Sequence, residues 1–159
     1  CMLMTLNRMA GMPVVCGGRR IGQVERAVAD AENAVLYGLV VRRGIGAAKW
    51  LPASGLEWIG EVCVSARQMP CPLPSKLPVG VSHVYLANGN LAGTVADMVL
   101  CSHTFRILAL EISPGPLYGL AGKTGYARQY SVQGGEGQVM VAHLCSWAQI
   151  SSTLEEETE

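Results

Sequence analysis

Charge is scarce in this 159-residue chain: Asp, Glu, Lys and Arg together make 15% of it, where about a quarter is usual for a soluble domain. Aromatics are fewer still, at 6% with a single Phe. Twelve Lys and Arg balance twelve Asp and Glu, so the basic stripe that grips phosphate backbones is not the default expectation. No run of eighteen apolar residues occurs, which excludes a membrane-spanning helix as an expectation. Val139–Ile150 comes nearest, and it is short and interrupted by His143, Ser146 and Gln149. The opening Cys-Met-Leu-Met-Thr lacks a basic region followed by an apolar one, so no secretory signal is expected. Six cysteines, at 1, 16, 63, 71, 101 and 145, form no Cys-x-x-Cys pair. They are read as small buried thiols of a reducing cytosol in preference to a disulfide framework, with Cys71 the most exposed.

What the chain does have is repetition. Gly18-Arg19-Arg20-Ile21-Gly22-Gln23-Val24 and Leu36-Tyr37-Gly38-Leu39-Val40-Val41 return 71 residues later as Gly89-Asn90-Leu91-Ala92-Gly93-Thr94-Val95 and Ile107-Leu108-Ala109-Leu110-Glu111-Ile112. Such self-similarity governs the reading of the fold. Two copies of 60–70 residues are each marginal alone and are expected to pack together. The boundaries read as residues 1–68, a Pro-rich linker at 69–79, residues 80–145, and an acidic disordered tail at 146–159 in which one turn of helix is expected through Trp147–Ile150. Between Gly80 and Cys145 the only charges are Arg106, Lys123, Arg128, Asp97, Glu111 and Glu136. That weakly charged surface suggests cover by the first copy or by a second chain, so homodimer formation is a reasonable expectation.

Alternating Val, Ile and Leu punctuated by Gly predicts short strands near 12–16, 20–30, 34–43, 47–52 and 61–66, with residues 51–58 as a turn or short 3₁₀ segment. Short strands leave edges that must be covered, and a small antiparallel barrel does so economically. Gly17-Gly18 and Asp30–Asn33 read as hairpin turns. Gly22 and Gly93 read as bulge or bend glycines.

The order Gly-Arg-Arg-Ile-Gly-x-Val, an acidic turn after Val28-Ala29-Asp30, a Gly-Leu-Val-Val strand, a Leu-Pro step and Ile59-Gly60-Glu61-Val62-Cys63-Val64 resembles the PRC-barrel domain family. That domain occurs at the C-terminus of the ribosome-maturation factor RimM and in the cytoplasmic part of the photosynthetic reaction-centre H subunit. It also stands alone in small sporulation-associated proteins of Firmicutes, the YlmC/YmxH type. The resemblance covers residues 11–66 well and 80–143 less well. Copy two departs at Asn90-Leu91, at Cys101 in place of Asp30, and in six extra residues before its last strand. The resemblance implies an all-β protein of two small antiparallel barrels in tandem, acting as a cytoplasmic protein-interaction adaptor without catalytic residues or cofactor.

Weighed residue by residue, the chemistry-bearing motifs are sparse. Gly122-Lys123-Thr124 lacks the earlier Gly of a phosphate loop and its strand–loop–helix context. His83, His103 and His143 have no second ligand at metal spacing, so no metal site is expected. Cys101 and His103 stand two apart on an expected strand, with no orienting acid to make a nucleophile pair. The one basic concentration is Arg19, Arg20, Arg42, Arg43 and Lys49. It reads as a solvated rim or, with Trp50 as an anchor, as a partner-binding surface, Trp50 and Trp58 being otherwise read as barrel plugs. Tyr118, Lys123 and Tyr126, on or beside a Gly-rich loop in copy two, are further partner-binding candidates, and Tyr130 is expected with them as an exposed loop aromatic. The alternative to an adaptor is an RNA- or ribosome-associated factor acting through the basic end. The third reading is a small-ligand binder or enzyme using the loop at 113–125.

Overall fold

The computed structural model describes residues 2–114, 124–133, 137–141 and 144–158. Among these the backbone is mostly β, in two curled seven-stranded sheets. A short strand β1 (Leu3–Thr5) and a one-turn helix α1 (Leu6–Met9) come first. The first sheet contains β2 (Pro13–Cys16), β3 (Arg19–Asp30), β4 (Val35–Arg42), β5 (Lys49–Pro52), β6 (Leu56–Ile59), β7 (Val64–Ala66) and β8 (Cys71–Pro72). Its strands lie in the order β6-β7-β2-β3-β4-β5-β8. The second contains β9 (His83–Leu86), β10 (Leu91–Cys101), β11 (Ile107–Ser113), β12 (Gly125–Ala127), β13 (Tyr130–Gln133) and β14 (Gln138–Val141). Its order is β12-β11-β10-β9-β14-β13, with β1 added beside β10.

The two sheets therefore share one strand order, and the shared details follow from shared residues. Each curls until its first and last long-range strands meet in parallel, Val14 opposite Val64 and Val84 opposite Val139, and all four valines are fully buried. Ladder slips fall at Val24/Arg26 in β3 and at Val95/Asp97 in β10, again 71 residues apart. A further slip accompanies Gly22 and Gly93, whose φ values are +156° and +151°. A Cβ on Gly22 would stand 2.9 Å from the Arg42 carbonyl oxygen, so the neighbouring strand leaves no room for a side chain there. Bulges of this kind sharpen the bend that closes a small sheet on itself.

The halves meet along a seam in which equivalent residues exchange equivalent bonds. Leu36 N–H donates to the Phe105 carbonyl at 2.8 Å, and Ile107 N–H donates to the Ala34 carbonyl at 2.7 Å. Val35 and Arg106 pair between those bonds. Ala34 and Phe105 are the two non-glycine residues with positive φ among the described residues, so the same unusual turn is made twice to present the seam. Inside it one hydrophobic cluster runs from Met4, Met9, Val14 and Leu39 to Val84, Leu100, Leu110 and Val141. Each half is too small to close its own core, and the two close one between them.

Three expectations from sequence are corrected here. Residues 1–68 are not one unit: β1 pairs with β10, Thr5 opposite Val99 and Leu3 opposite Cys101, so the N-terminal strand belongs to the second sheet. The tail is not disordered over the described residues, where α2 spans Trp147–Thr158. Ser146 and Gln149 cap it reciprocally, Gln149 N–H donating to Ser146 Oγ at 3.3 Å and Ser146 N–H to Gln149 Oε1 at 2.9 Å. Ile150 and Leu154, four apart on one helix face, are buried against Val99 and Ala109. The cysteines are not all thiols: Cys16, Cys63, Cys71 and Cys145 are free, but Cys101 is disulfide-bonded. Smaller differences follow. Residues 56–59 form a strand after a single 3₁₀ turn at Ala53–Gly55, the strand expected at 61–66 begins only at Val64, and the linker contributes β8 to the edge of β5.

Candidate functional site

The basic residues gather at one end of the first sheet because two hairpins end there. Gly17 and Gly18, at φ +60° and +80°, make the tight turn that starts β3 at Arg19 and Arg20. Gln23 pairs with Arg42, which sets the β4–β5 hairpin, Arg43-Gly44-Ile45-Gly46, beside that turn. A concave surface of about 370 Å³ results, lined by Arg20, Gly22, Gln23, Arg42, Arg43 and Gly44. Arg42 is held in place: its Nε donates to Glu25 Oε1 at 2.9 Å and its NH1 to the Gly46 carbonyl at 2.8 Å. Glu25 offsets its charge, and the half-exposed pair adds little stability. Arg20 and Arg43 are exposed and form no ion pair among the described residues. Ile45 stands fully exposed at the hairpin tip.

The other expected members divide. Arg19 follows the alternation of β3 to the face opposite Arg20. Lys49 is exposed and pairs with Val41 and Pro72, outside the concavity. Trp50 is not a surface anchor: it is 6% exposed, lies across Gly38, and packs with Val28, Val40 and Leu77. The exposed ring beside it is Tyr37, 5.6 Å between centroids. Tyr126 is part-buried, donates to Glu111 Oε1 at 3.2 Å and packs on Trp147 at 5.0 Å, so it holds α2 to its sheet. Desolvation, and then the Glu111 charge beside it, raise its pKa. Tyr118, Lys123 and His143 lie outside the described residues. Cys101 ends β10 and His103 lies in the turn beyond, so the two do not share a strand face, and the sulfur is already bonded. His83 and His103 are exposed.

Sequence reasoning missed Ile45, because one Ile between two glycines carries no periodicity to mark it. It also missed two cavities where the halves meet the linker. One, about 420 Å³, is lined by Asp30, Glu32, Asn33, Tyr37, Lys76 and Pro78 among others. The second, about 280 Å³, lies between Arg26–Ala29 and Val95–Met98, with Pro78 and Val81. No group of three His, Cys, Asp or Glu residues converges as a metal site among the described residues, nor is any helix there long and apolar enough to cross a membrane. Compared with known proteins, the chain matches no family model and no curated protein.

Proposed function

We propose that this chain is a non-enzymatic protein-interaction adaptor of the cytoplasm, built from two PRC-type barrels in tandem. The observation that carries the reading is the β4–β5 hairpin tip. A fully exposed Ile45 beside the free charges of Arg20 and Arg43 suits a protein surface with an apolar socket and an acidic rim. The repeated strand order and the 71-residue seam support the tandem barrel. Its connection to sporulation in Firmicutes rests on the family resemblance alone.

A second reading, an RNA- or ribosome-associated factor, is favoured by Arg20 and Arg43 and weakened by Glu25, which neutralises Arg42 in the same concavity. Affinity capture of the tagged chain from its host lysate, at low and moderate salt and with or without RNase, separates the two. An adaptor keeps its partners through RNase and salt and loses them in Ile45→Asp. An RNA-associated factor brings down ribosomal proteins that vanish with RNase and weaken steeply with salt.

A further inference from the structure

The two sheets share a strand order, yet one of two equivalent strand edges is paired and the other is open. In β10 the stretch Val99–Cys101 is bonded on both sides, to β11 and to β1. Its counterparts 71 residues earlier, Val28–Asp30 in β3, pair with β4 alone. No backbone bond from the described residues reaches their other edge. The linker borders the same region through Lys76–Val79, and on the 71-residue offset its Pro74 corresponds to Leu3 of β1 and its Pro78 to Asn7. Proline has no N–H to give to a ladder, and residues 73–76 are exposed. Both cavities described above border this edge, one lined by Ala27–Ala29, the other by Asp30–Asn33.

We propose that the open edge of β3 at Val28–Asp30 is a strand-addition site for an extended apolar segment of a partner protein. The occupant's chemistry follows from β1, which fills the equivalent place. Met4, central in β1, is buried in the shared core, whereas Leu3 packs on the outer face beside Val99. An incoming strand places one medium apolar side chain inward, toward the cavity lined by Ala29, Val81, Val95 and Met98. Its neighbour lies outward against Val28 and Leu77. A basic residue at the Asp30 end suits Glu32, which is exposed and forms no ion pair among the described residues. Main-chain bonds supply affinity and the alternate side chains supply selection, as in other strand-addition complexes. This site is separate from the Ile45 hairpin, so the proposal stands or falls independently of it.

The test uses the full chain and a synthetic peptide, Lys-Met-Leu-Met-Thr-Lys, with hydrogen exchange read by amide. In the free protein, outward-facing amides of Ala27–Asp30 are expected to exchange fast while those of Met98–Cys101 are slow. Peptide at about ten times its dissociation constant slows the former roughly tenfold, and the same peptide N-methylated along its ladder-forming edge does not. Slow exchange at Ala27–Asp30 before any addition overturns the proposal, because the edge is then already covered. Protection that is concentration-dependent without peptide overturns the partner class in favour of a second copy of this chain. Equal binding by the methylated peptide, or protection only at Met98–Cys101, also overturns it.

Discussion

Gly38→Ala tests the packing of the first sheet at its tightest point. A Cβ at Gly38 would lie 2.6 Å from Trp50 Cη2 and 2.7 Å from the Leu51 carbonyl oxygen, where non-bonded carbons prefer 3.5–4.0 Å. The carbonyl belongs to a paired strand, Gly38 facing Pro52 and Leu39 facing Leu51, and cannot yield. The indole must therefore move, and it is the largest member of the cluster with Val28 and Val40. Overpacking of this kind costs about 1–3 kcal/mol. For a chain of this size that lowers Tm by roughly 2–12 °C at about 2–4 °C per kcal/mol. The equivalent position in the second sheet is Ala109, fully buried and opposite a strand carrying Tyr126 in the place of Trp50. There the change Ala109→Gly removes one methyl and costs about 1 kcal/mol. Urea denaturation of the two single variants measures both values. The double variant Gly38→Ala/Trp50→Leu should recover part of the first loss, because the smaller side chain vacates the space. A Gly38→Ala protein that unfolds at the wild-type midpoint refutes the reasoning.

Tyr130 Oη donates to the Ala31 carbonyl across the seam at 2.8 Å, so Tyr130→Phe should cost about 1 kcal/mol by equilibrium denaturation. Burial first, and then the Asp30 charge, raise its pKa. Its contribution is therefore full below about pH 10, the unfolded value, and is lost as pH climbs through the higher folded value. The stability gap between wild type and Tyr130→Phe should shrink above pH 10, and a gap constant to pH 11 contradicts this. Leu154→Ala removes a fully buried side chain, a change that costs about 2–5 kcal/mol in a core. Because Ile150 and Leu154 are the buried residues that hold α2 against Val99 and Ala109, the expected readout is undocking, seen as proteolysis beyond Ser146 while the sheets stay folded. Alkylation of unreduced, denatured protein should label Cys16, Cys63, Cys71 and Cys145 and spare Cys101, as peptide mass spectrometry will show.

The strands of both halves were legible because their signal is local: alternation, turn glycines, and a 71-residue echo that places Gly22 with Gly93 and Leu39 with Leu110. What escaped was held in place from a distance. Nothing in Leu3-Met4-Thr5 marks a strand, since its partner lies more than ninety residues away at Val99–Cys101. Of α2 only a first turn at Trp147–Ile150 was legible; its extension to Thr158 was hidden by the acidic composition, although Ile150 and Leu154 carried helical spacing. At the candidate site the basic residues were visible as letters, but which of them converge depended on the Gln23–Arg42 register. Trp50 went inside because Gly38 leaves it a bed, a pairing across two strands that no window along the chain displays.

The first strand's allegiance to the second sheet gives this protein a timetable. Synthesis delivers Leu3, Met4 and Thr5 well ahead of their ladder partners, because Val99–Cys101 are made more than ninety residues later. At the ribosome's pace of roughly 5–20 residues per second, several seconds pass before Met4 can enter the core it helps to fill. During that interval Leu3–Thr5 is an apolar strand without a mate, and the unclaimed edge of β3 lies within reach. A nascent chain can thus shelter Leu3–Thr5 where a finished one would receive a guest.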